Sequence, residues 1–268
     1  DSVFRNQDAL LCISRIREKD AYLLEHSVNV SILMTIFAKQ MKFDEKLIQQ
    51  LATGALLHDI GKILLPDSIL NKPGKLTAEE FGEMRRHVVY SKEILDKIPG
   101  LSPISIDVAA VHHERLDGKG YPHGLSESQI SVYGRMISIV DTYDAITAQR
   151  CYKEGQTGIS ALKILKRESP QSFDPVLLAQ FIKAIGIHPV GTLVRLSNEK
   201  LGIVIKANEQ DPLRPVVKVF YNCKFRRYIE ISIVDLASNK VDLDIEGAVM
   251  PEDFGIDIIR FFRQSVLE

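Results

Sequence analysis

Two adjacent histidines, His112 and His113, open the run His112-His113-Glu114-Arg115-Leu116-Asp117-Gly118-Lys119-Gly120-Tyr121-Pro122, and far upstream stands His58-Asp59-Ile60-Gly61-Lys62. A double histidine, a distant His-Asp pair and a glycine-rich basic loop are the parts of a metal site that takes phosphate. A chain that uses them must bring widely separated segments to one point. One histidine on an apolar helix face is usually a satisfied core residue, and a lone His-Asp dipeptide says little. Here five of the seven histidines fall inside one ordered pattern, with His123 and His188 outside it as structural residues.

The spacing of apolar residues predicts helices over most of residues 1–186. His26, Val30, Leu33 and Phe37 share one stripe. Asp44 suits the N-cap of a following helix, on which Leu47, Leu51, Gly54 and His58 share a face and which Gly61 would stop. Thr77 and Glu80 read as a capping box for a helix carrying His87. A helix over 104–113 would end at the double histidine, and Ser126 with Gln129 would cap one running through Arg135 and Asp141. Helices are expected over 158–168 and 175–185, closed by Gly186.

After His188-Pro189 the period changes. Leu201, Ile203 and Ile205 alternate with Gly202, Val204 and Lys206, and 217–221 and 228–232 are also strand-like. Asn208 to Pro215 reads as a turn-rich connection. The expected architecture is therefore mainly α: a helical bundle over 1–188, then a small antiparallel β-unit at about 190–235 and a tail with a short helix near 256–265, all within an extension over 189–268.

Bulk properties narrow the function classes. The 268 residues carry a net charge of −1, so no global field draws the chain to a nucleic-acid polymer or a membrane surface. No apolar run is long enough to span a bilayer, and no signal peptide is visible. Cys12, Cys151 and Cys223 are scattered and form no CxxC, which fits a reducing compartment and a cytoplasmic location. The chain begins at Asp1 without Met, so an upstream sensory segment is expected.

A dinuclear hydrolytic site needs imidazoles and carboxylates from different elements, and His26, His58, Asp59, His87, His112, His113 and Asp141 can supply them. Such mixed N/O donors suit iron, manganese, zinc, nickel or cobalt better than calcium or magnesium. No Ser or Cys nucleophile with a triad is visible. With Glu25-His26-Ser27, the 70–77 segment and Asp141-Thr142-Tyr143-Asp144-Ala145, these motifs resemble the HD-GYP branch of the HD phosphohydrolases over roughly residues 20–186, with weaker similarity in the tail.

The resemblance implies that the bundle is an HD-type helical bundle, and it implies bacterial signal transduction: hydrolysis of cyclic di-GMP to linear pGpG, in some members on to GMP, and in a few hydrolysis of cyclic GMP-AMP. It implies those seven residues as ligands of two divalent ions, iron or manganese first, with Asp59 as the bridge. Trinuclear members carry Glu one turn before the first histidine. Here Tyr22 stands there, and Glu25 lies about 100° around the helix from His26, so two ions are expected rather than three. The resemblance also gives Lys62 a contact to the scissile phosphate, and Arg150 and Lys153 contacts to the substrate's phosphates or a guanine.

Several positions keep two readings. Lys62 is a phosphate contact or a solvated lysine past a helix end. Tyr121 stacks on a base or simply packs in a turn, and its loop at 118–122 is also a candidate docking surface for a cyclic di-GMP synthase. Asn71 to Lys75 is a basic rim or a solvated turn. Arg135 reads as a partner for a carboxylate inside the bundle. A different class of function, a catalytically weak cyclic-dinucleotide sensor, stays open beside the enzyme.

Overall fold

A computed structural model describes residues 21–148, 156–208 and 210–257. The chain divides into two compact units, Asp1–Gln156 with Ala161–Ala184, and Thr157–Ser160 with Ile185–Glu268.

The first unit is helical. It contains α1 (Ala21–Gln40), α2 (Glu45–Leu57), a 3-10 turn (Ile60–Leu64), α3 (Asp67–Leu70), α4 (Ala78–Arg85), α5 (His87–Leu95), α6 (Pro103–Val111), a second 3-10 turn (Glu127–Gln129), α7 (Val132–Thr147), most of α8 (Gly158–Glu168) and α9 (Pro175–Ile185). α1 packs on α2 and α7, while α6 packs on α2, α5 and α7. Leu23, Leu57, Ile60, Leu95, Ile98 and Ala109 form an apolar cluster beneath the His58-Asp59 turn.

Local chemistry accounts for the helix starts. Asp44 accepts from the Leu47 N–H at 2.9 Å, and Thr77 with Glu80 closes a capping box. That box caps a shorter helix than the sequence suggested. α4 ends at Arg85, and His87 opens a separate helix. Likewise Ser126 and Gln129 cap only the second 3-10 turn, and the helix that reaches Asp141 is capped by Ser131, whose Oγ accepts from the Gly134 N–H at 2.9 Å.

Gly61 is not a left-handed stop for α2; it lies inside the first 3-10 turn, and its φ is not positive. Its role is steric. A Cβ there would collide with the His87 carbonyl oxygen and the Ser91 amide nitrogen. The missing side chain lets the turn after α2 lie directly on α5. Ser91 fastens the approach, donating to the His58 carbonyl at 2.7 Å and accepting from the Gly61 N–H at 2.9 Å. Gly186 does follow its helix with φ of 80°.

The second unit is a five-stranded antiparallel sheet in the order β4-β3-β2-β1-β5, with β1 at Leu193–Leu196, β2 at Lys200–Lys206, β3 at Val216–Asn222, β4 at Arg227–Asp235 and β5 at Ile245–Ala248. Consecutive residues feed opposite clusters: Leu193, Leu201 and Ile203 one side, Val194, Val204 and Val217 the other. Both faces are therefore apolar. Gly202 sits at a register shift, where a Cβ would strike Val217. β5 and the 3-10 turn Pro251–Phe254 extend this unit past the sequence-based limit near 235. Most of the helix expected near 256–265 lies outside the described residues.

Candidate metal centre

Helix ends deliver most of the site. His58 is the C-cap of α2, with Asp59 next; His87 opens α5; His112 is the C-cap of α6, followed by His113. His26 comes from the buried side of α1, and Asp141 from α7. At three of these ends the ring turns back on its own chain. Nδ1 of His58 meets the Ala55 carbonyl at 2.7 Å, Nδ1 of His87 the Met84 carbonyl at 2.6 Å, and Nδ1 of His112 the Ala109 carbonyl at 2.7 Å. A carbonyl only accepts, so each Nδ1 carries the proton and donates it. In the neutral ring each Nε2 then presents a lone pair. His26 is oriented the same way by Asp144, with Nδ1 2.7 Å from Oδ2.

The donors gather into two groups, His26 with His58 and Asp59, and His87 with His112 and His113. Asp59 lies between them. Its Oδ2 is 3.4 Å from His58 Nε2 and 3.7 Å from His26 Nε2, whereas Oδ1 is 3.3 Å from His87 Nε2 and 3.8 Å from His112 Nε2. Asp141 straddles too, with Oδ1 3.1 Å from His26 Nε2 and Oδ2 3.6 Å from His113 Nδ1. Two ligands of the first group are left wanting: His58 Nε2 and Asp59 Oδ1 are buried without a hydrogen-bond partner. Their contacts are too long or misaligned to satisfy them. Five imidazoles and two carboxylates, converging with orphaned lone pairs, are a donor set that fits divalent transition ions.

Charge divides the cluster along the same line. Burial pushes the His87, His112 and His113 imidazoles down, to about 3 for His87 and about 4 for His113. Burial acts on His58 as well, but the negative charge of Asp59, and then of Asp141, close to its Nε2 outweighs it and holds the ring at about 10. Burial also pushes the Asp59 carboxyl up, yet Lys62 first and His58 next keep it well below the ordinary carboxylate range. Three imidazoles are thus ready as neutral donors. His58 must surrender a proton to an incoming cation.

Lys62 stands at the edge of this group, its Nζ 2.5 Å from Asp59 Oδ2. Tyr121 closes another side, its ring centroid 4.7 Å from that of His113. Arg150 and Lys153 lie outside the described residues. Tyr22 stacks parallel to His26 with centroids 6.4 Å apart, and Glu25 is exposed, turned away from the cluster. Arg135 pairs with Asp174 at 3.0 Å, as expected of a bundle residue. In the 71–75 segment, Lys72 is tied to Glu80 at 2.6 Å. His188 belongs to the second unit, and His123 is exposed in the loop after Tyr121.

Three side chains around the centre, those of Asp144, Glu114 and Arg85, escaped the sequence reading, which had Gly120 as part of a glycine-rich loop. Asp144 orients His26, and its position one turn after Asp141 was the available signal. Glu114 is buried and accepts the N–H groups of His123 at 2.7 Å and Leu125 at 2.9 Å, so it pins the loop that carries Tyr121. Gly120 lets that loop lie against the 113–115 backbone, where a Cβ would collide. Arg85 places its guanidinium carbon 4.5 Å from the Phe81 ring centroid and 5.0 Å from that of Tyr121, extending an aromatic and cationic rim outward from the centre. Nothing in the sequence near Phe81 or Arg85 marked them, because the rim exists only once α4 meets the loop.

The chain is similar to several known proteins. A family model described as an HD domain matches residues 11–177, and one described as a KOW domain associated with HD domain matches residues 193–255. A cyclic di-GMP phosphodiesterase of Pseudomonas aeruginosa is 43% identical over 88% of this chain and 56% of its own length. A 3'3'-cGAMP-specific phosphodiesterase of Vibrio cholerae is 34% identical over 64% of this chain and 37% of its own. The chain thus spans about half or less of these relatives. Among solved structures, an HDG"Y"P protein from Bdellovibrio bacteriovorus superposes with a TM-score of 0.50 at 24% identity, over 59% of this chain and 50% of the other, a likeness of fold.

Proposed function

The chain belongs to the HD-domain family, in its HD-GYP branch, and on that premise we propose that it is a metal-dependent phosphodiesterase that opens cyclic di-GMP to linear pGpG. The observation that carries the reading is the placement of Asp59. Its two carboxylate oxygens face separate imidazole groups, and a lysine ammonium stands beside one of them. His26, His58 and Asp59 would hold one ion, and His87, His112 and His113 the other, with Asp141 reaching toward both. Bound there, two divalent transition ions supply Lewis-acid charge for a phosphate and acidify water at neutral pH.

The chain's own groups do the rest. Asp144 and the three backbone carbonyls hold the imidazoles in one tautomer, so the donors need no reorganisation. Lys62, whose side chain is 21% exposed, would turn from Asp59 to a non-bridging phosphate oxygen as negative charge develops. Tyr121 offers a ring for a base, and Arg150 and Lys153 carry charge suited to the substrate's phosphates. The chemistry is assigned to residues 1–188, with 189–268 as an accessory unit. A substrate that is an intracellular messenger puts the protein in the cytoplasm, where an upstream sensory segment and a synthase docked on 118–122 would regulate it. No described helix is long and apolar enough to cross a membrane.

The Vibrio relative keeps cyclic GMP-AMP as a second substrate reading. The test is direct. Protein purified without oxygen is assayed for metal, supplied with Mn²⁺ or Fe²⁺, and given cyclic di-GMP, cyclic GMP-AMP and pGpG in parallel. Two ions per chain and release of pGpG or GMP from cyclic di-GMP are expected. A loaded protein that cleaves none of the three defeats the reading, and preference for cyclic GMP-AMP reassigns the substrate.

A further inference from the structure

α1 has a solvent face unlike that of an ordinary surface helix. Its exposed positions are Glu25, Val28, Ile32, Ile36 and Lys39. Three of the five are apolar, with Val28 39% exposed, Ile32 53% and Ile36 39%. A helix that buries Leu23, His26, Val30, Met34 and Phe37 on one side would normally show water a polar stripe on the other. Here the polar residues stand only at the two ends of the stripe, one acid and one base. Neither Glu25 nor Lys39 forms an ion pair among the described residues.

The order of these residues has a symmetry. The spacings are three, four, four and three, so the stripe reads the same in both directions about Ile32. We propose that a second copy of this chain docks on the stripe, with the two α1 helices antiparallel about a two-fold axis at Ile32. In that arrangement Ile32 meets its twin, Val28 meets Ile36, and Glu25 meets Lys39 at both ends. A parallel pairing would oppose Glu25 to Glu25 and Lys39 to Lys39, so the charges select the antiparallel one.

A self-complementary patch is what a two-fold interface requires, since each residue must be met by its symmetry partner. That requirement is why the occupant is a second copy rather than an unrelated helix. A five-residue stripe covers only part of the roughly 800 Å² per partner in a standard interface. The expected dimer is therefore weak and concentration-dependent, centred on α1. The side of α1 that bears His26 is the buried one, so pairing leaves the metal centre untouched.

Sedimentation equilibrium of the intact chain over a concentration series should show a reversible monomer–dimer mixture. Ile32→Glu should leave monomer, with an unchanged circular dichroism spectrum. Glu25→Lys alone and Lys39→Glu alone should each raise the dimer dissociation constant on the order of tenfold, by turning two attractions into two repulsions. The double reversal should restore it. A chain that stays monomeric throughout overturns the proposal. So does a dimer that survives Ile32→Glu, or single reversals the double variant fails to rescue, since a parallel pair or another occupant such as the chain's own terminal residues would give those results.

Discussion

Lys62 and Glu114 touch the same centre with different consequences. Lys62 donates to Asp59 Oδ2, while His26, His58, His87 and His112 are oriented by other groups, so its replacement leaves those rings as they were. Lys62→Ala should therefore lower kcat by the equivalent of about 3–4 kcal/mol, the scale of a lost preorganised donor at a developing oxyanion. Metal content by atomic spectroscopy should hardly change; unchanged turnover would return Lys62 to a surface role. Glu114→Ala removes the acceptor for two amide groups, leaving donors that cost about 1–3 kcal/mol each if they stay buried and unmet. The loop bearing Tyr121 should loosen, so KM should rise with metal content retained. Loss of metal instead would mean that the loop supports His113 more than it supports substrate. The seven converging donors were all named from the sequence because together they form the pattern of a resembling family; a single histidine or aspartate would not have been. Glu114 and Asp144 were not, since an acid that orients a neighbour looks, in one dimension, like any other acid.

Elements were legible where a local interaction defines them. Asp44 names the start of α2, and Thr77 with Glu80 names the start of α4, because each cap is made within four residues. Where the helices end depends on distant packing. The chain breaks between Arg85 and His87 so that His87 can begin α5 and turn its Nδ1 to the Met84 carbonyl, and no cap signals that. Gly61 is the same lesson in reverse. It stands where a helix-stopping glycine belongs, yet its purpose is contact with α5, which only the tertiary structure reveals. Gly61→Ala should consequently cost more than a helix-propensity change. Overpacking of this kind costs about 1–3 kcal/mol, and here the displaced backbone is that of Asp59's neighbours. A lowered urea midpoint together with weakened metal retention is expected. A variant as stable as the parent, with full metal, would show that the turn can move off α5 freely.

At the scale of the molecule, each unit has its own apolar cores, and the donor groups lie in the helical one alone. The change from helical to strand-like period after His188 was legible, while the second unit itself takes up at Ile185 and also holds Thr157–Ser160. The reach of the sheet to β5 was not legible, because a four-residue strand that completes an edge carries little pattern of its own. Two units, of which one holds the donor groups found among the described residues, make a thermodynamic prediction. A ligand that binds only the folded state stabilises the unit that binds it, by about 2.7 kcal/mol when free ligand is one hundred times its dissociation constant. Scanning calorimetry of the metal-loaded chain should therefore resolve two transitions, and a chelator should lower only one of them. Tryptophan is absent from the chain, so unfolding is assigned to units by far-ultraviolet circular dichroism, where the helical signal should follow the chelator-sensitive step. If both transitions fall together, the units unfold as one cooperative body and the β-unit shares the energy of metal binding. If neither moves, the His58 and Asp59 orphans are met by something other than a metal ion.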